Sequence, residues 1–404
     1  MKRISISAIL ILFISHAFAS AVFQTVTLPN PQSDKIVVKM MFRNGSMSDP
    51  KGMEGITQLT SSLMLDGGTG KFSASDIKSM TYPWAARWYS TVDKEVTVFT
   101  FEFHKDHAEQ MLSIMTGLVV APAFSESDYK RIKSNQENYI NEVIRSSSDE
   151  ELSKYALESF LFRDTRYAHP IGGTSQGLTN VSLEEVVRYH KASFTTRNLM
   201  LGIAGAYTDP YLLKLQEAMM KLPDANPSTL QPVVARNPKG LQVEIITKQN
   251  TLGSAIFAGF PLEITRSQDE FAALMVANSW LVEHLKRYSR LYQKIREQRG
   301  LCYSIFAQSA AYEDTGQITI YAGTSAEEIG DLTQITMDEL KRAADDMSDA
   351  EVARARVAVR RRHGPRSLAT GTARQQARRS TRAATRRTSC WRARGSACSS
   401  RSRP

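Results

Sequence analysis

This chain of 404 residues has seven histidines and three cysteines, which are the most common zinc ligands after the carboxylates are set aside. His104 and His107 form a His-x-x-His pair where a strand pattern gives way to a helix pattern, with no further histidine or cysteine near them. A zinc site takes at least three protein ligands, so we interpret them as a surface pair. His190 and His284 stand alone in helical patterns. Cys302 is the only cysteine before the C-terminal tail, so no disulfide framework is expected.

The elements that would position functional side chains follow a repeated order. Within residues 35–120 the apolar spacing predicts strand, helix, helix, strand and helix. A similar order returns between residues 243 and 344, beginning with a predicted strand from Val243 to Ile246. This repetition predicts an α+β fold of two related halves, each an antiparallel sheet covered by helices. The alternative is that the two orders are similar by chance.

Composition divides the chain into segments. Residues 1–20 combine Lys2-Arg3, an apolar run and small residues before position 20, which predicts a signal peptide; a retained membrane anchor is the alternative. A Pro-rich polar stretch at 222–240 is interpreted as a linker between an N-terminal domain (21–221) and a C-terminal domain (241–358). We therefore expect an exported protein, periplasmic or secreted, with no transmembrane segment.

The positive charge of the chain belongs to its C-terminus. The formal net charge is +10, but residues 352–404 hold 16 of the 51 basic side chains, all arginine, and none of the 41 acidic ones, which leaves the rest at −6. Residues 359–404 are Arg/Ala/Ser/Thr-rich, have few large apolar residues and are expected to be disordered. We interpret them as the product of a frameshift that leaves the second half incomplete; an arm touching anionic lipid is the alternative. Nucleic-acid binding is not expected, because the tail has one aromatic residue and the chain is exported.

Two motifs and a set of landmarks are shared with a known family. Residues 55–63 read Gly-Ile-Thr-Gln-Leu-Thr-Ser-Ser-Leu and precede Asp-Gly-Gly-Thr at 66–69. Residues 291–304 contain Leu-x-x-x-Ile-Arg-x-x-x-Gly-Leu-x-Tyr, and His-Pro-Ile-Gly stands at 169–172. Over residues 24–358 the chain resembles the insulinase/pitrilysin metallopeptidases, in particular the two-domain subunits of the mitochondrial-processing-peptidase type.

The resemblance implies that the catalytic motif of the first half is lost. Active family members carry His-x-x-Glu-His, in which two histidines bind zinc and the glutamate activates the bound water. Here Gln58 and Ser62 stand at the histidine positions and Ser61 stands at the glutamate position. None of these side chains can replace the original, so neither a metal site nor a catalytic residue is expected in this chain. Glu142, or alternatively Glu137, would correspond to the third zinc ligand.

The resemblance also implies a retained substrate-binding pair. Arg296 and Tyr303 match the arginine and tyrosine of the family's second-domain motif, which is intact here. In the family the arginine hydrogen-bonds the substrate backbone and the tyrosine hydroxyl donates to the carbonyl oxygen as it becomes an oxyanion. The structural alternative is that Arg296 pairs with an acid on its helix and Tyr303 opens a core strand.

These expectations combine into a functional hypothesis. The chain is expected to be the non-catalytic subunit of an exported zinc metallopeptidase heterodimer, paired with a homologous subunit that bears the zinc motif and the zinc. Its substrate would be a peptide or unfolded protein. The alternatives are a structural or peptide-binding subunit with no part in proteolysis, and an active peptidase that works alone.

Overall fold

The computed structural model describes residues 23–227, 230, 232–233, 239–249, 251, 253–282, 287–343 and 345–363. The predicted signal peptide (1–20), parts of the predicted linker (222–240) and the tail from residue 364 lie outside the described residues. None of the described helices is both long enough and apolar enough to cross a membrane.

The first half is built on one five-stranded sheet. Its strands are β1 (Gln24–Pro29), β2 (Lys35–Phe42), β3 (Arg87–Val92), β4 (Thr97–His104) and β5 (Leu199–Gly205). They lie in the order β1-β5-β2-β4-β3, with β1 parallel to β5 and every other neighbouring pair antiparallel.

Helices lie between these strands and after the last of them. They are α1 (Ile56–Asp66), α2 (Ala74–Thr81), α3 (Ala108–Val120), α4 (Glu126–Asn138), α5 (Asp149–Leu161), α6 (Ser175–Asn180), α7 (Leu183–Ser193) and α8 (Asp209–Met219). A π-helical segment, Tyr139–Ser147, follows α4 directly. Short 3-10 turns lie at Ser46–Ser48, Tyr82–Trp84, Lys105–His107 and Thr196–Asn198.

Alternation along the central strands explains why this sheet has one buried face. In β2, Ile36, Val38 and Met40 are fully buried, while the residues between them are more exposed. β4 contributes Phe99 to the same core, and the ring of Phe99 meets that of Phe42 edge-on, with centroids 5.9 Å apart. The helices cover this apolar face, so the core of the first half lies between sheet and helices.

The second half repeats this arrangement on a smaller scale. Its strands are β6 (Ser254–Leu262), β7 (Ser304–Ala311) and β8 (Gly316–Thr324), all antiparallel, in the order β6-β8-β7. Its helices are α9 (Glu270–Val282), a π-helical segment (Tyr292–Glu297), α10 (Ile329–Arg342) and α11 (Asp349–His363). It has a core of its own, which includes Leu291, Ile295, Ile305 and Leu332. The prediction of an α+β fold with two helix-covered sheets is confirmed; the first sheet differs from it in the parallel β1–β5 pair.

Two boundaries differ from the sequence expectations. The strand predicted at Val243 to Ile246 is wrong, because the structure assigns no strand there and leaves Val243 and Ile245 exposed at 69% and 82%. In the first half the corresponding strand β1 pairs only with β5, and the described residues of the second half contain no counterpart of β5. Helix α11 runs to His363, past the expected start of the disordered tail at residue 359.

Candidate functional site

The degenerate motif lies on α1, and the local sequence fixes where that helix begins. Gly55, just before the first helical residue, has a φ of 108°, a left-handed conformation that favours glycine. A β-carbon there would lie 2.8 Å from the carbonyl oxygen of Gly172. The carboxylate of Asp49 accepts hydrogen bonds from the backbone N–H groups of Gly55 (2.6 Å) and Thr57 (3.0 Å). These donors have no partner within the helix, so Asp49 caps α1 from a distance in sequence.

The three motif side chains of α1 bind to their own helix. The amide Nε2 of Gln58 donates to the Oγ of Ser62 at 3.0 Å, which places the side chains one turn apart on one face, as the motif spacing predicts. The hydroxyl of Ser61 donates to the carbonyl oxygen of Gln58 at 3.0 Å, and Ser61 is fully buried. An amide and two hydroxyls are weak zinc ligands, and here they already have partners within the helix.

The candidate third ligands do not complete a metal site. Glu142 lies on the π-helical segment after α4 and is exposed, whereas Glu137 on α4 is half-buried. The α4 side chain that contacts the start of α1 is Gln136, whose Nε2 donates to the carbonyl oxygens of Gly55 (3.0 Å) and Gly172 (2.8 Å). No cluster of three or more His, Cys, Asp or Glu side chains that could hold a metal occurs among the residues the structure describes. The residues present on α1 and α4 therefore do not fit zinc.

Arg296 and Tyr303 lie together in the second half. Arg296 is on the π-helical segment, and its guanidinium lies over the rings of Tyr292 (5.1 Å) and Tyr303 (4.9 Å). Two such contacts restrict how the arginine can turn. Tyr303 immediately precedes β7 and is 85% exposed, so it is not a core residue at the start of a strand. Its hydroxyl is therefore accessible to a ligand.

The turn between Arg296 and Tyr303 explains how they meet. Gly300 has a φ of 67°, which reverses the chain after the helical segment. The backbone N–H of Leu301 then donates to the carbonyl oxygen of Ile295, and its own carbonyl accepts from the hydroxyl of Thr324. Burial raises the pKa of the neighbouring Cys302 thiol to about 11, so this cysteine is not a reactive nucleophile at neutral pH.

The structure thus gives two separate places of interest within the chain. Within the described part of the chain, no hydrogen bond, ion pair or ring contact joins Arg296 or Tyr303 to the motif face of α1. Sequence reasoning missed Asp49 and Gln136, which hold the start of α1. The only signals in sequence are the Asp-Pro dipeptide at 49–50 and a glutamine among charged residues of α4, and neither is specific.

A buried ion pair lies where the two halves meet. Lys94, between β3 and β4, pairs with Glu158 on α5 at 3.2 Å, and the two side chains are 3% and 10% exposed. The Lys94 ammonium also donates to the carbonyl oxygen of His169. A cavity of about 530 Å³ beside this pair is lined by residues of both halves, among them Phe257 and Gln317. Burial also lowers the pKa of the neighbouring His169 imidazole, so this ring is neutral at pH 7.

Asp49 makes the stability of the chain depend on pH. Burial raises the pKa of its carboxyl from 3.8 to about 7, although its hydrogen bonds act in the opposite direction. The unfolded chain then releases this proton near pH 4 and the folded chain near pH 7, so stability present at low pH is lost as pH rises to 7. Between pH 5 and 7 the free energy of unfolding of the wild type should fall by about 2 kcal/mol more than that of Asp49→Asn. Urea unfolding at both pH values checks this, and parallel pH dependences would contradict it.

Comparison with known proteins covers almost the whole described chain. The family model described as "Insulinase (Peptidase family M16)" matches residues 24–175, and the one described as "Peptidase M16 inactive domain" matches residues 180–359. The second match contains Arg296 and Tyr303, and the first contains the degenerate motif of α1.

Individual relatives have low sequence identity to this chain, but each match covers most of it. The chain is 22% identical to the "Uncharacterized zinc protease YmxG" of Bacillus subtilis over 314 residues, which are 77% of this chain and 74% of that protein. It is 23% identical to the "Non-peptidase homolog YmxG" of Helicobacter pylori over 67% of this chain and 61% of that protein. The solved structure of a "peptidase M16 inactive domain" from Pseudomonas fluorescens superposes with a TM-score of 0.76 at 19% identity, covering 86% of this chain and 82% of that one.

Proposed function

Because this chain belongs to the insulinase (M16) peptidase family as a non-catalytic member, we propose that it is the zinc-free subunit of an exported peptidase heterodimer. Its partner would be a homologous subunit that carries the zinc motif and the zinc. The substrate would be a peptide or an unfolded protein. The signal-peptide pattern of residues 1–20 supports export, to the periplasm or the medium.

One observation carries this proposal. The side chains that would bind zinc and activate water are replaced on α1, while Arg296 and Tyr303 are kept, contact each other and leave the tyrosine exposed. A subunit with no part in proteolysis has no evident use for this pair. We therefore favour a subunit that lends these two residues to a site completed by its partner.

The chemistry of the two side chains suits substrate binding. The Tyr303 hydroxyl can donate a hydrogen bond to the carbonyl oxygen of the bond being cleaved, and this bond strengthens as negative charge develops. The Arg296 guanidinium presents several N–H donors to backbone carbonyls of an extended peptide. The contacts of the guanidinium with the rings of Tyr292 and Tyr303 orient it before substrate arrives. Neither residue needs a metal in this chain to perform these roles.

Co-expression with a zinc-motif homologue tests the proposal. We expect a pair whose peptide hydrolysis requires both chains, and we expect Tyr303→Phe to lower kcat by about 100-fold, the scale of losing one oxyanion donor. Arg296→Ala should lower kcat/KM by at least about tenfold, mainly through KM. Matched controls are Tyr82→Phe, at an exposed tyrosine of the first half, and Arg299→Ala, at an exposed arginine near Arg296; both should leave activity unchanged. A pair that stays assembled and fully active with both substitutions would defeat the proposal.

A further inference from the structure

We propose that Arg290 is a positioning residue for the pair formed by Arg296 and Tyr303. Its ion pairs hold the π-helical winding of Tyr292–Glu297, and this winding aims the Arg296 guanidinium at Tyr303. The structural part of this inference concerns the chain alone. Its consequence for peptide hydrolysis rests on the proposed function, in which the pair contacts substrate.

The Arg290 side chain joins three parts of the second half, although only 11% of it is exposed. Its Nε atom donates to the carboxylate of Glu339 on α10 at 2.5 Å, and the Glu339 side chain is 7% exposed. Its two terminal nitrogens donate to the two carboxylate oxygens of Asp346, which lies between α10 and α11. The guanidinium carbon also lies 5.3 Å from the ring centroid of Trp280 on α9. A planar guanidinium with this many directed contacts has little freedom to move.

The π-helical segment begins two residues after Arg290. At its end the backbone N–H of Gln298 donates to the carbonyl oxygen of Gln293, five residues earlier, whereas an α-helix would bind four residues earlier. This winding is rare in proteins and occurs mostly as single turns, frequently at functional sites. Leu291 and Ile295 are fully buried in the core of the second half, which fixes one face of the segment. Arg290 therefore fixes the start of the segment by charge, next to the side chains that fix it by apolar packing.

The winding of the segment decides where Arg296 points. Because π and α windings turn by different amounts per residue, a change from one to the other would rotate Arg296 about the helix axis relative to Arg290. In the structure the guanidinium carbon of Arg296 lies 4.9 Å from the ring centroid of Tyr303. Tyr303 is held separately, because it immediately precedes β7. Loss of the Arg290 ion pairs would therefore move one member of the pair and leave the other in place.

The chain alone gives the first test. A fluorinated tyrosine placed at position 303 alone reports the guanidinium over its ring through its fluorine resonance, and Arg296→Ala supplies the resonance of a ring without that contact. We expect Arg290→Met to move the resonance most of the way towards that of Arg296→Ala. Asp346→Asn, at a side chain that is 49% exposed, weakens the same ion pairs more mildly and should give a smaller shift in the same direction.

Arg342→Met is the matched control. Arg342 reaches the same Glu339 carboxylate at 3.9 Å, but it lies on α10 and its side chain is 67% exposed. This variant should leave the fluorine resonance at position 303 unchanged. If Arg290→Met does not fold, Arg290→Lys and Asp346→Asn decide the question. Lysine keeps the charge but lacks the planar fork that binds both acids, so we expect a shift from it as well.

Hydrolysis by the co-expressed pair gives the second test. Arg290→Met is expected to raise KM at least about threefold with a smaller change in kcat, the same pattern as Arg296→Ala. The double variant Arg290→Met/Arg296→Ala should be no less active than Arg296→Ala alone, because Arg290 acts only through that arginine. A merely structural role would instead add the two losses. Arg342→Met should keep both kcat and KM.

Two results would overturn the positioning role. One is an unmoved fluorine resonance in the folded variants of Arg290 and Asp346, and the other is additive losses in the double variant. The proposed function fails in a different way. If the resonance moves in the chain while Arg296→Ala leaves hydrolysis by the pair unchanged, Arg290 still positions Arg296, and the arginine takes no part in proteolysis.

Discussion

Replacing Lys94 by methionine is expected to lower the free energy of unfolding by about 3–5 kcal/mol. The Lys94 side chain is 3% exposed, and its ammonium group has two oxygen partners, the Glu158 carboxylate and the His169 carbonyl. Methionine fills similar volume but removes the ion-pair partner of a buried carboxylate. Urea unfolding of both proteins at pH 7 measures the difference.

An exposed ion pair of equal length provides the matched control. Lys130 and Glu126 are also 3.2 Å apart, but their side chains are 72% and 59% exposed. Lys130→Met should therefore cost less than about 1 kcal/mol. The double variant Lys94→Met/Glu158→Gln should recover most of the loss, because it removes the charge that Lys94→Met leaves unpaired. A loss from Lys94→Met no larger than that from Lys130→Met would contradict the prediction.

The Lys94–Glu158 ion pair lies where three elements of the fold meet. Lys94 lies between β3 and β4, and Glu158 lies on α5, the helix that packs on β6 of the second half. The carboxylate of Glu158 also accepts from Gln317 on β8 at 3.5 Å. The pair thus connects the first sheet, α5 and the second sheet. In sequence, Asp-Lys-Glu at 93–95 looks like an ordinary exposed turn, and nothing local shows that its lysine is buried.

Elements with a strong apolar period could be predicted from sequence, and the exposed edge strands of the first sheet could not. Helix α3 occupies residues 108–120, as its apolar face predicts, and β2 and β4 coincide with apolar runs. β1 and β3 were missed, because both lie at sheet edges and most of their residues are exposed or half-buried. Without a buried face, a strand shows no alternation for sequence analysis to detect.

Some residues of the candidate site could likewise be predicted from sequence, and others could not. The positions of Gln58, Ser61 and Ser62 follow from helical spacing, and the contact between Arg296 and Tyr303 agrees with their placement in one motif. The contacts of Asp49 and Gln136 with the start of α1 could not be predicted, because Gln136 bonds to a carbonyl 81 residues away. Such contacts depend on how α4 packs against α1, and the apolar period of either helix does not specify that packing.

Restoring the missing glutamate by Ser61→Glu is expected to destabilise the chain by about 3–5 kcal/mol. Ser61 is fully buried and its hydroxyl is satisfied by the carbonyl of its own helix. A carboxylate at this position would lose its hydration. The neighbouring Gln58 and Ser62 cannot hold a zinc ion whose positive charge would compensate for that loss. Ser62→Glu is the matched control, because the neighbouring side chain is half-buried and can reach water; it should cost less than about 1 kcal/mol.

The pH dependence of Ser61→Glu separates a charge penalty from simple crowding. A buried glutamate is more stable when protonated, so the loss relative to wild type should shrink at about pH 5 and grow towards pH 8. Crowding alone would give the same loss at both pH values. Urea unfolding of Ser61→Glu, Ser61→Gln and wild type makes the comparison, since glutamine has the same size without the charge. If Ser61→Glu is as stable as Ser62→Glu at pH 8, the buried position 61 of α1 tolerates a carboxylate, and the prediction is wrong.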